Sequence, residues 1–293
     1  MRIVFIGAVE FSLRALQCLH GMGANIAGVC TLRESTFNAD HVDLSAYCVA
    51  HGIDWVHVDD INSPASLEWI SGCRPDVIFC FGWSRLLKVE LLGLAPMGVV
   101  GFHPAALPKN RGRHPIIWAL VLGLEKTAST FFFMDAGADS GDILSQRTIA
   151  IAPEDDARAL YDKVVATALA QIAEFVPLMQ ANAYPRIKQD GAMANVWRKR
   201  GRTDGVIDWR MSAKTIHNLV RGLAQPYVGA EFASSGVSYK LWKSAIVPDA
   251  PGNFEPGKVI AYSGGKPVVK SGEQAICLLE TEPEFSPALG AYL

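Results

Sequence analysis

The segment GVVGFHPAALPKNRGRHP, residues 98–115, runs from an apolar stretch into a histidine, then through three prolines and several basic residues before a helix-forming run begins. A second segment, MDAGADSGDI at 134–143, sets Asp135, Asp139 and Asp142 among glycines. Histidine, here His103, is the residue type whose ordinary pKa lies close to neutral pH. A carboxylate from a neighbouring loop would complete the smallest pair able to move a proton to and from a reacting group. Pro104, Pro108 and Pro115 fix backbone φ and remove N–H donors, so they are expected to hold His103 still. A histidine ending a strand can also be a satisfied polar residue and nothing more; the carboxylate-bearing loop is what favours chemistry.

Both segments need elements that bring them together. RIVFIG at 2–7 reads as a buried strand, FSLRALQCLHGMG at 11–23 as an amphipathic helix and NIAGVCT at 25–31 as the next strand, which makes a βαβ unit. The alternation continues through a helix at 43–52, a short strand at 54–58, a helix at 63–73 with a serine cap and Pro64 at its first position, and strands at 75–82 and 98–103. A helix follows at 116–124, strands at 129–135 and 142–151, and a long helix at 157–181. The expected fold class is α/β: a Rossmann-like, mostly parallel sheet with helices on both faces. In such sheets ligands bind beyond the carboxyl ends of the strands, so the 82–87 loop (GWSRLL), the His103 loop and the 134–143 loop are all expected at one edge. Residues 1–188 would form this domain and the polar, basic stretch 189–205 a linker. Residues 206–293, with short strands separated by Gly/Pro turns, would form a smaller β-rich, OB-like domain.

Composition narrows the function classes. Of 293 residues, 50% are hydrophobic and 19% charged, and the formal charge of −2 gives no footprint for a large polyanion. The six cysteines show no C-x-x-C or Cys/His spacing suited to zinc, so they read as reduced, buried thiols and no metal is expected. GAVEF after the first strand has one glycine where a dinucleotide fingerprint has three. The N-terminus reads as a strand rather than a signal peptide, and no apolar run is long enough to span a bilayer, so a soluble, cytoplasmic protein is expected.

The pattern H-P-x-x-L-P-x-x-R-G-x-x-P, followed by M-D-x-G-x-D-S-G-D-I with 36 positions from His103 to Asp139, resembles the signature of the folate-dependent formyltransferases. That family includes methionyl-tRNA and sugar N-formyltransferases. NVWRKRGRTDGVIDWRMSA and KLWKSAIV resemble its junction and C-terminal domain. The resemblance implies 10-formyltetrahydrofolate as co-substrate, with His103 and Asp139 as two members of an Asn-His-Asp catalytic trio. The family's asparagine position is here Gly101; Asn110 or His114 is expected to supply the missing hydrogen bond. Pterin-binding elements carry over to Ser84, Arg85, Leu86 and Leu87 and to Asp135, Ala138, Asp142 and Ile143, mainly through main-chain groups. Arg111 and Arg113 would orient the folate glutamate or an acceptor phosphate, unless they are solvated arginines beside a turn.

The loop from Ala8 to Ser12, with Glu10, Phe11 and Ser12, is expected to face the acceptor; Glu10 would hold a sugar hydroxyl or the reactive ammonium, or be an ordinary first-turn carboxylate. Trp83 and Trp197 are candidates for stacking on a base. Three readings compete. One is formylation of a nucleotide-linked amino sugar for surface-glycan biosynthesis, which TDGVIDW and QPYVGAEF favour; related sugar enzymes are often dimers, and the sequence leaves monomer and homodimer both open. The second is formylation of initiator tRNA, which the scarcity of basic residues in 206–293 disfavours. The third is a folate-binding relative that lost catalysis with the asparagine.

Overall fold

The apolar runs become strands where the chain can bury both their faces. The structure is a computed structural model that describes residues 1–35 and 39–293. β1 (Arg2–Ile6) is followed by α1 (Glu10–Gly21), β2 (Asn25–Thr31), α2 (Ser45–His51), β3 (Trp55–His57), α3 (Pro64–Gly72), β4 (Val77–Cys80), α4 (Val89–Leu92) and β5 (Val99–His103). These five strands pair in parallel in the order β3-β2-β1-β4-β5, as the alternation of elements predicts. α3 starts as expected, with the Ser63 hydroxyl accepting from Ser66 N–H at 3.2 Å and Pro64 at the first helical position.

Next come β6 (Arg111–Gly112), α5 (Pro115–Val121), β7 (Lys126–Phe133), β8 (Ile143–Ala150), α6 (Ala157–Gln180) and β9 (Val196–Trp197). β7 and β8 complete a seven-stranded, mostly parallel sheet. β7, however, runs antiparallel to β5, with Thr130 opposite His103 and Phe133 opposite Val100. The hydroxyls of Thr127 and Thr130 donate to the carbonyls of Pro104 and Ala105 at 3.2 and 2.6 Å, so β7 enters beside the end of β5 and runs back along it. The loop after Phe133 therefore starts beside the beginning of β5, not at the edge where the parallel strands end. This corrects the expectation only for the point where the loop leaves the sheet.

That loop returns by a close approach at its base. Phe133 N–H donates to Asp142 O at 2.8 Å, and a Cβ on Gly141 would lie 1.7 Å from Phe133 O, so only glycine fits there. Side chains alternate across β5. Phe102 joins a cluster with Phe11 (4.4 Å between centroids) and Phe131 (4.9 Å), while Gly101 and His103 point to the opposite face.

By contacts the chain forms two units that interleave in sequence: residues 1–112, 127–149 and 162–197 in the first, and 113–126, 150–161 and 198–293 in the second. Composition placed one break at 189–205; contacts divide that stretch after Trp197. They also carry α5 into the second unit, because Ile117 shares an apolar cluster with Ile216, Leu219, Phe232 and Leu241. The second unit holds α7 (Ala213–Leu223) and β10 (Ala230–Ser234), β11 (Val237–Val247), β12 (Val259–Ser263), β13 (Lys266–Lys270) and β14 (Ala275–Glu282). The five strands form a separate antiparallel sheet in the order β10-β11-β14-β13-β12.

The basic run at 198–202 is folded onto this unit. The guanidiniums of Arg198 and Arg200 lie 5.5 and 4.6 Å from the Trp118 ring centroid, and Asp204 pairs with Arg198. His114 precedes α5 with a left-handed φ of 56°, and its Nδ1 accepts from Arg200 N–H at 3.4 Å. Burial first, then the charges of Arg113, Lys199 and Arg200, push the His114 pKa below its ordinary 6.5. As pH falls below the ordinary value, the unfolded chain takes up this proton before the folded one does, so His114 removes stability on acidification. In His114→Gln the loss of denaturant stability between about pH 7 and about pH 5 is expected to be smaller than in the wild type, as read by unfolding curves at each pH.

Candidate active site

The first unit brings together the two segments that carried the sequence argument. His103 is 5% exposed. Its Nδ1 lies 3.7 Å from Asp139 Oδ2, and its Nε2 lies 2.7 Å from the carbonyl oxygen of Asn110. A carbonyl can only accept, so Nε2 carries the hydrogen and donates. Nδ1 is then the ring nitrogen turned toward the Asp139 carboxylate. Asp139 reaches this position although its loop leaves from the far end of β5, because the loop doubles back along the strand. Its Oδ2 also accepts from Gly112 N–H at 2.9 Å.

Three residues here hold left-handed backbone: Asn110 (φ 64°), Gly112 (φ 101°) and Asp139 (φ 54°). Asparagine and aspartate tolerate this region better than most residues, and glycine tolerates it freely. At Gly112 the need is also steric, since a Cβ would meet Trp197 O at 2.3 Å across the β6–β9 pairing. Asn110 is pinned by its N–H, which donates to Asn195 Oδ1 at 2.9 Å, and Arg111 N–H donates to Asn195 O at 3.0 Å.

Gly101 shares the His103 face. A Cβ there would lie 2.8 Å from Met134 Cγ and 3.2 Å from Phe132 Cζ, so methionine fills the space where the resemblance expects an asparagine. The two substitutes considered for it are placed differently from expectation. Asn110 meets His103 through its main-chain carbonyl rather than its amide, and His114 belongs to the second unit.

The remaining expected residues divide. Phe11 and Ser12 are not acceptor contacts but core. Phe11 is 4% exposed and packs on Phe102, while the fully buried Ser12 hydroxyl donates to Phe81 O at 2.6 Å and accepts from the N–H groups of Ala8 and Val9 at 3.2 Å. The reason is close packing of the first turn, where a Cβ on Gly7 would lie 2.5 Å from Ser12 Cβ. Glu10 is the part-exposed first residue of α1. Arg111 spends Nε and Nη2 on Gln189 Oε1 at 3.2 and 2.7 Å, so it braces the site instead of standing open to an anion. Arg113 is exposed in the second unit.

At the expected pterin edge, Ser84 is part-exposed, Arg85 donates to Asp59 O, and Leu86 presents a side chain that is 71% exposed. Leu87 is buried. Asn62 clasps this loop, donating to Leu86 O at 2.9 Å and accepting from Lys88 N–H at 2.7 Å. Asp135 Oδ1 accepts from Gly137 N–H and the Ser140 hydroxyl at 2.9 and 2.7 Å, Ala138 is exposed, and Asp142 is part-exposed. Ile143 cannot read a ligand through its main chain, because its N–H and C=O both pair with Ile187, at 2.8 and 3.0 Å. Trp83 packs against the apolar cluster around Ile6 and Cys80, and Trp197 is held through its backbone by Gly112. Among the described residues no group of three or more His, Cys, Asp or Glu side chains is placed to hold a metal, and no helix is long and apolar enough to cross a membrane.

Sequence reasoning missed Asn62, Gln189 and Asn195. They stand in stretches that read as loop or linker, and nothing in their neighbourhood marks an amide as structural. Gly112 was visible only as the glycine of the R-G pair.

Residues 57–175 match the family described as formyl transferase, and residues 200–292 match the formyl transferase C-terminal domain. Among solved structures, the N-formyltransferase from Helicobacter canadensis, in complex with folinic acid and dTDP-3-aminofucose, superposes with a TM-score of 0.68 at 16% identity, covering 94% of this chain and 98% of that one. HypX from Aquifex aeolicus in complex with tetrahydrofolic acid superposes with a TM-score of 0.68 at 18% identity over 96% of this chain. The present chain spans only 44% of the HypX chain. Methionyl-tRNA formyltransferase from Clostridium thermocellum superposes with a TM-score of 0.61 at 18% identity, covering 85% of this chain and 95% of that one. These likenesses share the fold, and the two matched regions take in most of the sequence in domain order: the chain belongs to the formyl transferase family.

Proposed function

We propose that the chain transfers a formyl group from 10-formyltetrahydrofolate to the primary amine of a nucleotide-linked amino sugar, as a step in surface-glycan assembly. The observation that carries this reading is a buried imidazole with one nitrogen fixed by a carbonyl and the other 3.7 Å from a carboxylate. Formyl transfer needs such a pair, since a proton leaves the attacking amine and another must reach the departing nitrogen. The folate supplies the activated formyl carbon. Nδ1 of His103 takes the amine's proton, and the resulting imidazolium is stabilised by the Asp139 carboxylate on one side and the Asn110 carbonyl on the other. The same Nδ1–H then donates to negative charge on the formyl oxygen or to the leaving nitrogen, because Nε2–H is already committed. The exposed turn at 135–138 and the exposed Leu86 side chain are assigned as folate contacts in this reading, with Asn62 holding the 86–88 loop in place.

The acceptor class is argued from charge. Residues 206–293 carry eight Lys and Arg against eight Asp and Glu, and Lys240–Glu231, Arg210–Asp208, Lys243–Glu280 and Lys258–Glu255 pair within that set. A domain gripping RNA phosphates needs an excess of positive charge. A non-catalytic role is disfavoured because His103 and Asp139 are kept 3.7 Å apart with the imidazole buried.

The direct test incubates the protein with 10-formyltetrahydrofolate and a panel of nucleotide-linked amino sugars, with methionyl-tRNA as comparison, and seeks the mass gain of one formyl group. Product from tRNA alone would overturn the acceptor assignment. With an active acceptor in hand, Asp139→Asn is expected to lower kcat by roughly 10²- to 10⁴-fold with little change in KM, since it removes the proton partner while keeping an acceptor for Gly112 N–H. Asn110→Gly should keep kcat within about threefold, because the contact is a main-chain carbonyl and glycine accepts the left-handed backbone freely. A loss far beyond that in steady-state kinetics would return the role to the amide side chain.

A further inference from the structure

Asp139 meets His103 only while its backbone keeps a φ of 54°, which an L-residue adopts at a cost. Something must hold it there. Gln189 spans the two sides of this loop: its Nε2 donates to Asp139 O at 2.9 Å and to Gly141 O at 2.7 Å. The two carbonyls flank Ser140, so one amide group closes the turn that carries the carboxylate. On its other side, Gln189 Oε1 accepts from Arg111 Nε and Nη2 at 3.2 and 2.7 Å.

The orientation of this amide is fixed by its neighbours. Turned over, its oxygen would face two carbonyl oxygens and its nitrogen would face a guanidinium, four mismatches in place of four hydrogen bonds. The segment bearing Gln189 is tied on both flanks to the same site. Ile187 pairs with Ile143 at the end of the Asp139 loop, and Asn195 accepts from Asn110 N–H beside His103.

We propose that Gln189 is a positioning residue for the Asp139 carboxylate, clamping the left-handed turn so that Oδ2 stays aimed at His103 Nδ1, with Arg111 locking the amide in its working orientation. It acts through Asp139 and touches no reacting atom. The kinetic part of the idea rests on the formyl-transfer reading above; the geometric part does not.

Two variants separate the clamp from a general structural role. Gln189→Glu keeps oxygen acceptors for Arg111 but loses both donors and turns a negative charge toward the two carbonyls. Gln189→Leu loses both halves. Each is expected to lower kcat roughly 10²-fold with KM for both substrates held within about threefold, the size of effect a misplaced reacting group produces. The ¹⁵N resonance of His103 Nδ1 should move in both, because the carboxylate no longer faces it in one geometry. Wild-type kcat in Gln189→Glu would overturn the proposal, as would a loss expressed only in KM. If the wild type transfers formyl to no acceptor, the functional reading fails by itself and the resonance decides the clamp: a shift in Gln189→Glu supports it and an unmoved signal overturns it.

Discussion

The hydrogen bond from His103 Nε2–H to the Asn110 carbonyl is the constraint on which the site depends. It fixes the ring plane and commits one nitrogen as donor, which leaves Nδ1 as the nitrogen turned toward the Asp139 carboxylate. Without it, the imidazole could flip or change tautomer, and the carboxylate of Asp139 would face a different atom. The loop of prolines and basic residues exists to deliver a carbonyl, and a carbonyl is a rigid anchor because it belongs to the backbone. Its own position is set in turn by Asn195, which holds the Asn110 N–H.

A second constraint follows from the reversal of β7. A parallel strand would have released the aspartate loop at the edge where β5 ends; the antiparallel one releases it three residues further back along β5. The chain must then recover about 10 Å at the usual rise per strand residue. It does so by folding the loop along the sheet, with Gly141 pressed against Phe133 O at its base and Gln189 bracing its turn. The cost is a left-handed aspartate, and the neighbouring groups exist to hold it.

Most of the architecture was legible in the sequence. Continuous apolar runs bounded by glycine gave strands of a sheet buried on both faces, and the helix over 157–181 ends within a residue of its expected limit, at Gln180. The pairing of His103 with Asp139 was legible too, since two motifs in fixed order imply a shared site. What the sequence could not show was the part played by main chain. Asn110 was singled out for its amide, yet its carbonyl makes the contact; Ile143 was expected to offer backbone groups that Ile187 already occupies. Phe11 and Ser12 read as loop residues beside a cleft, whereas tight packing at Gly7 and Gly82 draws them into the core. Antiparallel entry of β7 leaves no mark in an apolar run, because hydrophobic periodicity is blind to strand direction.

The two-residue strand at Val196–Trp197 carries a consequence for how the protein comes into being. It pairs with Arg111 and Gly112, and the residues just before it hold Asn110 and the Asp139 turn. A nascent chain emerging from the ribosome exposes its histidine and aspartate long before these last braces are synthesised. The pairing of His103 with Asp139 is therefore braced only once the segment ending at Trp197 has been made and docked, rather than when the central sheet first collapses.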